Sequence, residues 1–177
     1  MRVLQESLIE LIRRTSAEMP EDVQRAIVQA LEVERKGTIA ESALKIIERN
    51  IELARRKSQP TCQDTGSILC YVDVPVGFDE TAFAAAAREA VRRATANGWL
   101  RQNSVDTLTG RNDGTNVGPG SPALHFHQRT SPEIDVRLIL KGGGCENVGR
   151  SEERRGGKEG RARGSADHYK QTKTTHM

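Results

Sequence analysis

Apolar side chains recur every three to four residues through the first 57 positions, in three runs separated by breakers. This pattern commits the N-terminal part of the chain to amphipathic helices. The first run, residues 3–14, carries Val3, Leu4, Leu8, Ile9, Leu11 and Ile12. Pro20, Glu21 and Asp22 open the second: proline suits a first helical turn, and the acids face the positive end of the helix dipole. Its stripe is Val23, Ala26, Ile27, Ala30 and Leu31, and Gly37 is the expected stop. Thr38 with Glu41 three residues later forms a capping box for the third helix, striped by Ile39, Ala43, Leu44, Ile46, Ile47, Ile51 and Leu53. Arg55, Arg56 and Lys57 close it with the favourable sign of charge.

At Pro60 the texture changes. Residues 61–66 are polar and turn-like, and Ser67–Val76 reads as a strand. Asp79 caps a fourth helix over 80–97, rich in alanine and ended by Gly98. Residues 106–122 are rich in Gly, Asn and Pro, which excludes a helix or a central strand. Two further strands, 123–128 and 134–140, are joined by 129–133, a connection that suits an antiparallel pair. The predicted fold class is α+β: an N-terminal helical layer followed by a small mixed sheet with a packed helix. Aromatics are only 3% of the chain, so its core is expected to consist of Ala, Val, Ile and Leu. No uncharged apolar run approaches a membrane span. Glu6 and Glu10 interrupt the N-terminal apolar pattern, against a secretory signal. Three cysteines are an odd number for a disulfide framework, so a reducing, cytoplasmic setting is expected.

Charge divides the chain. Residues 150–177 hold eight Lys and Arg against four Asp and Glu, with only Ala162, Ala166, Tyr169 and Met177 from the hydrophobic set. Such a segment buries too little apolar area to offset its ordering entropy, so a disordered basic tail is expected there, distinct from a domain over 1–149. One reading is a nucleic-acid-binding arm on a helical binding module, although few aromatics are present to stack bases. The favoured reading is that the tail is non-native, because Arg150–Arg155 and Gly157–Glu159 resemble the translation of a sequencing-library adapter.

Several segments carry residues suited to chemistry. Cys62-Gln63-Asp64-Thr65-Gly66 puts a thiol, an amide, a carboxylate and a hydroxyl on one turn. The thiolate suits zinc or iron–sulfur, the carboxylate suits proton transfer, and the amide suits hydrogen bonding to a substrate carboxylate. On spacing alone, a polar loop with Cys62 buried and Asp64 bonded to backbone amides is the simpler account. Cys70, on a strand, is expected in the core. The loop Arg111–Gly120 can form an anion-binding nest or be a plain surface loop; it lacks the glycine spacing of a phosphate loop or dinucleotide fingerprint. Arg101 can clamp a carboxylate in two-point fashion or be a solvated helix-end cation. His125 and His127 share a strand face but lack a third ligand nearby, which favours a polar surface over a metal site.

Taken in order, these segments resemble one family, the iron–sulfur fumarate hydratases and related tartrate dehydratases, in their alpha subunit or N-terminal domain. The carrying residues are Cys62–Gly66, Leu100-Arg101 with Ser104-Val105, Asn112–Pro119, and Lys141-Gly142-Gly143-Gly144-Cys145-Glu146-Asn147. The resemblance covers residues 1–149 and implies a [4Fe–4S] cluster whose open iron acts as a Lewis acid on a four-carbon diacid during reversible addition of water. It implies Cys62 as a cluster ligand, Gln63 and Asp64 as substrate contacts with Asp64 also moving a proton, Arg101 on a substrate carboxylate, and the Gly144 backbone lining the site. The implied partners are a dicarboxylate substrate and a beta subunit or C-terminal domain, in a homodimer or heterotetramer, with neither membrane nor nucleic acid. In the family the other cluster cysteines lie beyond position 149, so this chain alone is expected to be an inactive fragment. Glu146-Asn147 tilts the reading towards fumarate over tartrate.

Overall fold

The computed structural model describes residues 2–62, 67–106, 108–142 and 173–176. Helix α1 spans Arg2–Ala17, α2 Glu21–Val33, α3 Ile39–Lys57, and α4 Glu80–Ala96. Strands β1 (Ser67–Pro75), β2 (Ala123–Arg129), β3 (Asp135–Lys141) and β4 (Lys173–His176) form one sheet in the order β2-β1-β3-β4. This is the expected helical layer followed by a mixed sheet with a packed helix. Of the tail expected over 150–177, residues 173–176 form β4, paired antiparallel with β3, and the rest lies outside the described residues.

Local chemistry explains the helix boundaries. Thr38 Oγ1 accepts the Glu41 N–H at 3.0 Å, while the Glu41 carboxylate turns back to accept the Gly37 N–H at 2.7 Å. The capping box is therefore displaced by one residue from its usual reciprocal form. Asp79 Oδ1 accepts the Ala82 N–H at 2.8 Å and starts α4. Pro20 is the N-cap residue of α2 and not its first turn, and α2 ends at Val33, before Gly37. Gly37 instead serves the α2–α3 connection at φ +82°, a conformation costly for a residue with a Cβ.

Helices α1 and α4 cover one face of the sheet. Leu8, Leu11 and Ile12 of α1 meet Ala87, Ala90, Val91 and Ala94 of α4 over Ile68, Val72, Val74, Val136 and Leu138 of the strands. Alanines on α4 let the two helices approach closely. Phe83, fully buried, meets Phe78 and Phe126 edge-on at 6.0 and 5.6 Å between ring centroids. The core is aliphatic, as expected, with this single aromatic knot. Helices α2 and α3 differ. No residue of α2 is buried, and α3 buries only Ile51 and Ala54; Ile27, Ala30, Leu31, Leu44 and Leu53 are half-buried, while Val23, Ala26, Ile39, Ala43, Ile46 and Ile47 are exposed.

The strand pairing departs from the sequence expectation. β2 and β3 are not hydrogen-bonded neighbours; β1 lies between them, parallel to β2 and antiparallel to β3. The reason is burial. β1 carries the continuous inward set Ile68, Cys70, Val72 and Val74, which fits a central strand. β2 buries no residue fully and so fits an edge. The connection over 130–134 therefore spans two strand spacings.

Candidate functional site at the entry end of the central strand

The topology gathers the suspected residues at one end of the sheet. β1 starts there, and α4 returns antiparallel to it after the short turn 76–79, bringing the α4 C-terminus back to the same end. The loop 97–122 follows, and β2 then starts alongside β1, with Ala123 paired to Leu69. β3 runs the other way and finishes there, with Lys141 paired to Ser67. Cys62, the Arg101 loop and Lys141-Gly142 are thus brought to a common end although they are scattered through 80 positions of sequence.

The approach to Cys62 is anchored. Thr61 donates its N–H to Ser16 O at 3.0 Å, and Thr61 O accepts from Asn50 Nδ2 at 3.1 Å, which ties the segment to α1 and α3. Cys62 itself is exposed, a free thiol and not the buried one that the plain-loop account required. Cys70 is the buried thiol, and burial pushes it up to about 12, so it stays protonated and unsuited to ligation at neutral pH. Gln63, Asp64 and Gly144 lie outside the described residues.

Arg101 is exposed, and its backbone is fixed by a residue that the sequence reading did not single out. Asn116 is 3% exposed with φ +57°. Its Nδ2 donates to Arg101 O at 2.6 Å and to Thr95 Oγ1 at 3.2 Å, and its Oδ1 accepts from Asn103 N and Ser104 N at 3.0 and 3.1 Å. All four hydrogen-bonding positions of the amide are used. Ser121 Oγ donates to Asn116 O at 2.6 Å and gathers the far end of the loop. The signal available in the sequence was an asparagine among glycines, a residue tolerated at positive φ.

Two aspartates shape the same loop. Asp106 is held below the usual carboxylate range by the Thr109 N–H and then the Thr109 hydroxyl. Asp113 is lowered in the same way by Thr115. Both are therefore ionised loop-formers, not proton donors near neutrality. The loop is organised around its polar side chains, which is more than a plain surface connection requires.

His125 and His127 are exposed on the sheet face away from α1 and α4. His125 stacks on Tyr71 at 4.9 Å, and His127 lies 3.5 Å from Asp73, which also contacts Arg137 at 3.2 Å. Among the described residues no group of three His, Cys, Asp or Glu side chains is placed to hold a metal ion. Cys62 fits a single thiolate ligand, but the described residues do not amount to a complete ligand set for a cluster. No described helix is long and apolar enough to cross a membrane.

A family model described as fumarate hydratase (fumerase) matches residues 5–160. A Geobacillus stearothermophilus protein carrying the name of a class I fumarate hydratase is 46% identical over 147 residues, covering 83% of this chain and 29% of that protein. A Methanocaldococcus jannaschii protein carrying the name of an L(+)-tartrate dehydratase alpha subunit is 32% identical over 146 residues, covering 80% of this chain and 51% of the relative. The Escherichia coli K12 L(+)-tartrate dehydratase alpha subunit is 29% identical over 138 residues, covering 77% and 45%. The chain belongs to the class I fumarate hydratase family. It spans from under a third to about half the length of these relatives.

Proposed function

We propose that this chain is part of an iron–sulfur hydro-lyase that interconverts fumarate and malate by reversible addition of water. The observation that carries the reading is the register Ser67 to Lys141, which brings the start of β1 and the end of β3 to the same rim as the Arg101 loop, in a chain of this family. A [4Fe–4S] cluster, when bound, supplies a Lewis-acidic iron to the substrate oxygen atoms. Cys62 provides one thiolate towards it. Gln63 and Asp64 contact the substrate, and Asp64 moves a proton. Arg101 offers two parallel N–H donors to one substrate carboxylate. The Gly144 backbone lines the site, where a missing side chain leaves room for close approach.

The dicarboxylate dianion explains why fixed cations and donors are needed: preorganised positive charge stabilises the carbanion-like transition state beside a carboxylate. Tartrate dehydration is the second reading, supported by the two alpha-subunit relatives at 32% and 29% identity; the 46% identity favours fumarate. A beta subunit or C-terminal domain completes the enzyme, which works in the cytoplasm as a homodimer or heterotetramer. The domain covers 1–149, and 150–177 is a basic tail of non-native origin. The 177-residue chain alone does not turn over.

The test is anaerobic reconstitution with iron and sulfide, performed on this chain and on the protein encoded by the intact gene. The intact protein should gain cluster absorbance and hydrate fumarate faster than it dehydrates tartrate, and Cys62→Ser should abolish both cluster and activity. A Cys62→Ser protein with full activity would refute the assignment. Turnover by the isolated chain would refute the fragment reading alone.

A further inference from the structure

The loop over 111–120 contributes no group to the reaction proposed above, yet its side chains bond across to the segment that carries Arg101. Asn116 Nδ2 donates to Arg101 O at 2.6 Å, and Asn112 Nδ2 donates to the next carbonyl, Gln102 O, at 2.7 Å. Asn116 Oδ1 takes the two N–H groups that follow, those of Asn103 and Ser104. Three consecutive peptide units after Arg101 are therefore held by two side-chain amides. The Asn103 N–H also donates to Arg101 O at 3.0 Å, which closes a tight turn there. Asn112 is itself set in place by accepting the Gly114 N–H at 2.8 Å. Gly114, at φ +74°, lies against Gln102, where a Cβ would meet the glutamine side chain at 3.4 Å.

Apolar packing does not fix this segment. Leu100 is 3% exposed, but Arg101, Gln102 and Asn103 after it are all exposed. A stretch so open samples many backbone states unless hydrogen bonds restrict it. The restraint reaches the core through one line. Asn116 Nδ2 also donates to Thr95 Oγ1 at 3.2 Å, and Thr95 is buried in the last turn of α4 beside the fully buried Ala94. Helix α4 supplies the fixed point, and Asn116 carries it to Arg101.

The same bonding removes the anion-nest reading of the loop. The N–H groups of Asn103, Ser104, Leu108, Thr109, Gly114 and Thr115 donate to side-chain oxygens within the loop and are not turned to a ligand. We propose that Asn112 and Asn116 are positioning residues for dicarboxylate binding: they fix the Arg101 backbone, so that its planar fork meets a substrate carboxylate without the cost of ordering the loop on binding. The inference rests on the hydro-lyase reading above, in which Arg101 holds that carboxylate. Neither asparagine touches substrate; both act through the arginine.

The test uses the protein encoded by the intact gene, reconstituted anaerobically. Steady-state fumarate hydration and cluster absorbance are measured on the parent, Asn112→Ala, Asn116→Ala, Arg101→Lys and the double variant Asn112→Ala/Arg101→Lys. Asn112 is exposed, so its replacement keeps the fold even where Asn116→Ala does not. Asn112→Ala should raise KM about fivefold, with kcat and cluster content within about twofold of the parent. Asn116→Ala, assayed below its unfolding transition, should raise KM at least as far. The double variant should show the KM of Arg101→Lys alone, because no fork is then left to position. An unchanged KM in Asn112→Ala beside a raised KM in Arg101→Lys would overturn the inference and leave the hydro-lyase reading standing. KM effects that multiply in the double variant, or cluster loss in Asn112→Ala, would overturn it too, by placing the asparagine's effect outside the arginine. An unchanged KM in Arg101→Lys would remove the arginine from the substrate and this inference with it.

Discussion

Replacing Asn116 by alanine removes the hub of the loop that carries Arg101. The substitution leaves the Asn103 and Ser104 N–H groups, Arg101 O and the Thr95 hydroxyl without their amide partner. A buried group left unsatisfied costs about 1–3 kcal/mol, but Asn103 and Arg101 are exposed and water replaces part of that loss. Allowing two effective losses near the lower bound gives about 2–3 kcal/mol. The φ of +57° adds roughly 1 kcal/mol for a residue with a Cβ and no compensating side-chain bond. Asn116→Gly separates the two contributions, because glycine accepts the backbone angle but restores no hydrogen bond. Urea denaturation at neutral pH should therefore show Asn116→Ala destabilised by about 3–4 kcal/mol and Asn116→Gly by about 1 kcal/mol less. Amide exchange should accelerate at Asn103 and Ser104 in both variants. An alanine variant within 0.5 kcal/mol of the parent, on the ordinary tolerance for surface substitutions of about that size, would refute the hub assignment.

Thr15 is fully buried and its Oγ1 finds no hydrogen-bond partner among the described residues, so Thr15→Val should raise stability by about 1 kcal/mol in the same assay; a loss would reveal a hidden partner. Cys70 binds its proton more tightly folded than unfolded, from 9.0 up to about 12, so its contribution is complete below pH 9 and is lost as pH rises towards 12. At pH 10 that loss is about 1.4 kcal/mol, and the difference in pH slope between parent and Cys70→Ala should show it. Equal slopes would place the thiol in water. In the intact enzyme, Arg101→Lys keeps the charge but not the planar fork, and should raise KM for the dicarboxylate about tenfold. An unchanged KM would remove Arg101 from the substrate.

The parts of this fold governed by neighbours in sequence were legible in it. The caps at Thr38 and Asp79, the alanine face of α4 and the three strand segments all follow from local chemistry. Strand order did not follow, because placing β1 between β2 and β3 depends on how much apolar area each strand can bury, a comparison across 70 residues of chain. The helical stripes of α2 and α3 were visible, but amphipathicity alone does not say whether a face meets its own core; here Ile39 and Ile46 do not. Cys62 and Arg101 were identified as candidates from their neighbours in motif. Asn116 was not, because its function arises from bonds to four residues distributed between 95 and 104.

The rim opposite Cys62 is built from the tight turn over 76–79 and the β2–β3 connection over 130–134, and the reactive groups named above are absent from both. A fluorophore or affinity handle grafted at Ser131-Pro132 would therefore sit a full strand length from the chemistry. The sheet so divides labour between its ends, and the β2–β3 connection is where an engineer can write without disturbing what the other end reads.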